Sequence, residues 1–160
     1  MIQVRILECK DPLADHLEQF KQYASVPDDS RDGILQKMLK RAMLAVQESS
    51  NVAMLPCKLE VMLAPVWPGD TIRLYQGGKT ILSVKDSQGE DLVYAREGDV
   101  IKILETHKTW STAVVVYQNE VIVPEAEKLQ PVVWQLATAI YDGEDASVQN
   151  AILRQTYGML

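Results

Sequence analysis

Partway along this 160-residue chain the apolar residues change period, and that change dictates two kinds of secondary structure in succession. After Asp29, the residues Ile34, Leu35, Met38, Leu39, Ala42, Met43 and Val46 recur every three or four positions. A helix of about 3.6 residues per turn buries such a stripe on one face. From Leu55 the period becomes two: Leu55, Cys57, Leu59, Val61 and Leu63 alternate with Pro56, Lys58, Glu60 and Met62. That alternation is the mark of a half-buried strand. A chain with both patterns must place helices and sheet in one α+β fold.

Turn chemistry divides the rest. Asp11-Pro12 is a helix start signal, followed by Leu13, Leu17, Phe20 and Ala24 on one face. Ser25 to Asp29 breaks that helix, and the second is expected to start near Asp29 or Ser30 and to end around Ser49-Ser50-Asn51. Short strands are expected at Thr71–Tyr75, Thr80–Lys85, Asp91–Arg96, Val100–Glu105 and Thr112–Tyr117. Between them lie Pro68-Gly69-Asp70, Gly77-Gly78, Asp86 to Gly89 and Glu97-Gly98-Asp99. This spacing predicts an antiparallel sheet or small sandwich. Gln118-Asn119 reads as a turn after the last strand. A helix beginning near Pro124 then carries Leu129, Val133, Leu136, Ala137, Ile140 and Tyr141. Pro131 inside it removes a hydrogen bond, so a kink or a loose first turn is expected there. Gly143 suits a helix end, and Ser147–Tyr157 reads as a final helix. The expectation is one domain over 1–160: a helical pair over 1–51, a central β region over 55–117 and C-terminal helices over 124–160. The helices are expected to pack together and on one face of the sheet.

Composition narrows the function classes. With 47% hydrophobic and 24% charged residues the chain reads as globular, and no apolar run approaches the roughly 20 residues of a membrane span. The N-terminus lacks a basic segment followed by an apolar run, which predicts a cytosolic protein without a signal peptide. In that setting Cys9 and Cys57 are expected as separate thiols. A net charge of −6 argues against sequence-independent binding of nucleic acid, which needs clustered cations. Lys37, Lys40 and Arg41 read as a solvated helix face.

No motif points to catalysis, a metal or a cofactor. Cys9, His16, Cys57 and His107 lack metal-ligand spacing. Neither histidine lies in a nucleophile motif, and no GxSxG occurs. Asp28-Asp29, Glu90-Asp91 and Glu144-Asp145 sit where acidic residues solvate turns or start helices. Gly77-Gly78-Lys79-Thr80 lacks the earlier glycine of a phosphate loop and precedes a β-rich run, so it reads as a hairpin turn. Trp134 has the spacing of a core residue, whereas Trp110 in its polar loop is a candidate interface anchor.

Three local patterns carry a resemblance that spans nearly the whole chain. The first is Leu17 to Tyr23, then Asp28-Asp29, then Ile34-Leu35 to Ala42. The second is Ile72-Arg73-Leu74, then Ile81 to Asp86, Gly89 and Leu92-Val93-Tyr94. The third is Val114 to Tyr117, Val123-Pro124, and Val132 to Tyr141. Together they resemble the head–tail connector (adaptor) proteins of long-tailed bacteriophages. The sequence departs from that pattern at Tyr75-Gln76-Gly77, where a proline is usual, at Gln118-Asn119, where a glycine is usual, and at Pro131.

The resemblance implies a non-enzymatic virion component without a cofactor, made in the host cytoplasm. Its partners would be further copies of itself in a ring, the portal protein, and a tail or stopper protein, with DNA passing through unbound. By that analogy the end of the chain is the candidate portal or neighbour contact, through Ile152, Leu153, Arg154, Tyr157, Met159 and Leu160. Asp99, His107 and Trp110 are candidate loop contacts. Two other classes fit the composition: a small non-viral protein-binding α+β module, and a small hydrolase pairing Cys or Ser with His16 or His107.

Overall fold

A computed structural model describes residues 1–106 and 111–158, with side chains described as far as Thr156. The fold is α+β, with four α-helices and two antiparallel sheets among the described residues. The chain divides into two compact units, one of Met1–Cys9 with Pro56–Glu120, the other of Lys10–Leu55 with the chain from Val121 onward.

The first unit holds all the strands: β1 (Ile2–Cys9), β2 (Cys57–Val66), β3 (Thr71–Arg73), β4 (Gly78–Lys85), β5 (Val93–Glu97), β6 (Val100–Glu105) and β7 (Ser111–Asn119). One sheet has the order β1-β2-β7-β4, the other β3-β6-β5. β1 adds an N-terminal strand where none was expected, although Ile2, Val4 and Ile6 do alternate with Gln3 and Arg5. It pairs antiparallel with β2, setting Val4 opposite Val61 and Ile6 opposite Leu59. β7 is central to its sheet, with Ala113, Val115 and Tyr117 buried. Gln118 and Asn119 are part of β7, not a turn after it: Gln118 pairs with Lys58 and with Thr80, and the Asn119 side chain accepts from the Cys57 amide at 2.7 Å. The tertiary partners on both sides override the local turn preference.

Tyr117 ties the two sheets of this unit together. Fully buried on β7, its hydroxyl accepts from the Tyr75 amide at 3.1 Å and donates to the Tyr75 carbonyl at 3.2 Å, just beyond β3. Burial pushes the phenol up to about 12. The turn Tyr75-Gln76-Gly77-Gly78 holds Gln76 and Gly77 at positive φ and closes with a Gly78 N–H to Tyr75 carbonyl bond of 3.2 Å. Two successive positive φ values are those of a type I′ turn, but β3 and β4 lie in different sheets, so this turn passes the chain from one sheet to the other and is not the hairpin turn expected from Gly77-Gly78. A β-carbon at Gly78 would stand 2.5 Å from the Tyr117 ring, so glycine here lets the strand approach that ring.

Cys9 and Cys57 are direct cross-strand partners and form a disulfide, which corrects the expectation of separate thiols. The expectation rested on compartment rules; the pairing register, which sequence alone did not supply, brings the two sulfurs together.

The second unit contains α1 (Ala14–Tyr23), α2 (Asp32–Ser50), α3 (Val123–Tyr141), α4 (Ala146–Leu153) and a 3-10 turn at Arg154–Gly158. Its core is Phe20, Leu35, Leu39, Met43 and Val46 with Leu129, Val132, Val133 and Leu136. The α2 stripe is buried as spaced, except that Ile34 in the first turn is 56% exposed and Met38 is half-buried. Phe20 stacks on Trp134 with ring centroids 5.8 Å apart. Arg31 at the start of α2 donates to the Tyr141 hydroxyl at 2.5 Å, at the end of α3. The fully buried Gln47 accepts from the amides of Met54 and Leu55 at 2.9 and 3.2 Å, supplying acceptors to a coil that has no helix partner. Asp11 caps nothing: Leu13 holds the N-cap position of α1 and Asp11 pairs with Lys40 at 2.8 Å. α3 runs without interruption from Val123 through Pro131, so the expected loose first turn is absent. Its buried stripe on both sides of Pro131 (Ala126, Leu129, Val132, Val133) holds the helix together across the missing hydrogen bond. Gly143 takes the expected left-handed conformation at φ +74°.

Candidate functional site

The last turns of the chain are the segment with the most candidate contact residues, and their local structure is well determined by sequence. Asp145 caps α4, its Oδ1 accepting from the Val148 amide at 3.1 Å, as an acidic N-cap should. At the other end Thr156 is buried, donates to the Leu153 carbonyl at 2.8 Å, and lies 3.4 Å from the Ser49 hydroxyl on α2. That anchor fixes the short 3-10 turn to the helical unit. Ile152 and Leu153 are half-buried between these two points, and Arg154 is exposed. Tyr157 belongs to the 3-10 turn, while Met159 and Leu160 lie outside the described residues.

The loop candidates separate. His107 and Trp110 lie outside the described residues. Asp99 sits at the β5–β6 turn, where Gly98 has φ +62°. Its carboxylate pairs with Arg73 at 3.3 Å and its carbonyl accepts from the Leu74 amide at 2.7 Å. It therefore also joins that turn to the end of β3. Asp99 belongs to the first unit and the C-terminal segment to the second.

One surface feature was not singled out from sequence. β5 is an edge strand, and all five of its residues are exposed. The register with β6 slips between Val93 and Tyr94, which face Glu105 and Ile103, leaving Leu104 as the extra residue. Val93, Tyr94 and Leu104 are all exposed there. Strand alternation alone separates Val93 from Tyr94, so only the bulge brings this group into one short stretch.

The ionisable groups organise structure. Lys21 is almost wholly buried, and its ammonium lies 2.5 Å from Asp29, 2.8 Å from Asp32 and 3.8 Å from Glu18. The hydrogen bond to Asp29, then that to Asp32, holds this lysine well above its ordinary value. The three carboxylates lie close enough together to suit a cation, and the lysine ammonium is the cation they surround. Asp28 accepts from the hydroxyl and amide of Ser30, which holds its carboxyl below the usual range. Asp28 and Asp29 thus shape the α1–α2 connection, in keeping with a structural reading of that pair. The disulfide removes Cys9 and Cys57 as thiolate nucleophiles in the oxidised protein. Among the described residues, no helix is long and apolar enough to cross a membrane.

No family model matches this sequence, and no curated protein matches it. Solved structures do. The fold is similar to that of a chain in the neck of an empty gene transfer agent particle computed with C6 symmetry, at a TM-score of 0.69 and 15% identity, over 96% of this chain and 94% of the other. A chain in the virion of a native gene transfer agent particle gives 0.65 at 14% identity over the same shares. A chain in the neck of a native particle computed with C12 symmetry gives 0.58 at 16% identity, covering 94% of each.

Proposed function

We propose that this protein is a non-enzymatic structural component of the neck of a tailed, phage-like particle, forming a closed ring between portal and tail through which DNA passes. The observation that carries the reading is the fold likeness to neck chains over nearly the full length of both partners, across both units. A shared fold alone does not transfer a function. Here it coincides with the connector-like order of the sequence patterns and with side-chain clusters that have structural partners. A ring needs heterologous contacts, one face of a subunit meeting a different face of the next. A net charge of −6 suits a channel that must not hold the phosphates moving through it. In this reading the end of the chain meets the portal or a neighbour, through Ile152, Leu153, Arg154, Tyr157, Met159 and Leu160, and two separate turns, one with Asp99 and one with His107 and Trp110, serve tail-side or lumen contact.

The test is native mass by light scattering over a concentration series, with and without a candidate portal ring. A closed oligomer, or co-migration with the portal, supports the connector. A monomer that ignores the portal at high concentration sinks it and leaves a small protein-binding module in its place.

A further inference from the structure

The Cys9–Cys57 bond fastens an edge strand of its sheet. β1 is an edge strand, paired only with β2, and none of its eight side chains is fully buried. A bulge between Ile6 and Glu8 interrupts its pairing shortly before Cys9. Beyond its backbone ladder with β2, it is tied by the Met1 amine to the Ala64 carbonyl at 2.7 Å, the Ala64 amide back to Met1 at 3.1 Å, and an exposed Arg5–Glu60 pair at 2.9 Å. Exposed ion pairs add little, and edge segments with few buried contacts open at low cost. The disulfide is the covalent hold at the end of β1 remote from Met1. The loop it closes contains the whole of α1 and α2.

We propose that Cys9 and Cys57 form a reversible thiol–disulfide site that locks β1 to the sheet when oxidised and lets it fray when reduced. The half-buried Cys9 is the more accessible sulfur, while Cys57 is 5% exposed. The co-reactant is a low-molecular-weight disulfide of the glutathione class. The Cys9 thiolate attacks one of its sulfurs, forming a mixed disulfide and releasing one small thiolate. The Cys57 thiolate then attacks the Cys9 sulfur and releases the second. The protein loses two protons and two electrons, and the small disulfide is reduced to two thiols. Small thiols reverse the sequence. A chain made in a reducing compartment would thus carry a free-edged sheet, and would lock it after exposure to an oxidising one.

The experiment is hydrogen exchange by mass spectrometry on the full chain, untreated and reduced with a phosphine, with iodoacetamide labelling counted by intact mass. The expected result is no label before reduction and two after it. Amides of Ile2–Glu8 should exchange at least about ten-fold faster in the reduced chain, while β7 stays protected over the same labelling times. A Cys9→Ser, Cys57→Ser double variant should match the reduced chain under both conditions. If that variant fails to fold, the reduced native chain still decides. Two labels on air-exposed, unreduced protein would overturn the site. Unchanged exchange in β1 after full reduction would overturn the lock, as would loss of β7 protection together with β1, because the bond would then hold the whole unit.

Discussion

Gly78→Ala tests the packing that joins the two sheets of the β unit. The added methyl would stand 2.5 Å from Tyr117 Cε2, 2.7 Å from Tyr117 Cδ2 and 2.7 Å from Leu74 Cβ. Carbon atoms in contact sit about 3.5–4.0 Å apart, so the ring must retreat by about 1 Å or the strand must move away. The ring is fully buried, and its hydroxyl bonds to Tyr75 are already 3.1 and 3.2 Å long. A retreat of that size breaks both. Overpacking of this kind costs about 1–3 kcal/mol, and each of the two neutral hydrogen bonds contributes about 1 kcal/mol, so the expected loss is at least about 3 kcal/mol. For a chain of this length that lowers the melting temperature by about 6–12 °C, read by circular dichroism at a fixed protein concentration. Replacing Tyr117 by Leu removes the clashing ring atoms but leaves the Leu74 Cβ contact, so Gly78→Ala should cost less in that background than in the parent, the difference being the part owed to the ring. A Gly78→Ala melting temperature within about 1 °C of the parent would refute the reasoning, since a loss near 3 kcal/mol cannot produce so small a shift.

Three further outcomes follow from particular contacts. In an ultraviolet phenolate titration Tyr117 should ionise near 12, above the ordinary phenol value of about 10. Because the folded value is raised, its contribution is fully present below about pH 10 and is lost as pH rises toward 12, about 3 kcal/mol in all; Tyr117→Phe should remove that step from the stability–pH curve. Gln47→Ala leaves the amides of Met54 and Leu55 without their acceptor and should cost about 2–4 kcal/mol in urea unfolding, with no change in the slope. Deleting residues 159–160 and replacing the exposed Arg154 by Ala should leave the melting temperature within about 2 °C, since chain ends and exposed side chains generally contribute little, while abolishing portal recruitment in sedimentation. Retained recruitment would remove that end of the chain from the proposed contact.

Much of this fold was written in local pattern. The α2 stripe, the Leu59–Val61 alternation, Pro124 at the start of α3 and Gly143 after its end all appear where spacing and turn chemistry place them, because each is decided by neighbours a few residues away. The Gly77-Gly78 turn belongs with them, and so does the Asp86 turn, whose side chain accepts from the Gln88 and Glu90 amides at 2.8 and 3.0 Å. The order of patterns was enough to suggest a connector-like layout, which is a statement about succession and needs no coordinates.

What the tertiary structure alone decided depends on partners distant in the chain. The pairing of β1 with β2 sets Cys9 against Cys57, 48 positions apart, and turns two thiols into one covalent staple. The position of Gln118-Asn119 between β2 and β4 makes a turn-like pair into strand. The β5–β6 register slip groups Val93, Tyr94 and Leu104, and burial on α2 continues a helix through Pro131 by packing its other side chains. Local periodicity says which face of an element is apolar. It does not say which element that face will meet, because register and pairing are chosen by the summed burial and hydrogen bonding of the whole chain.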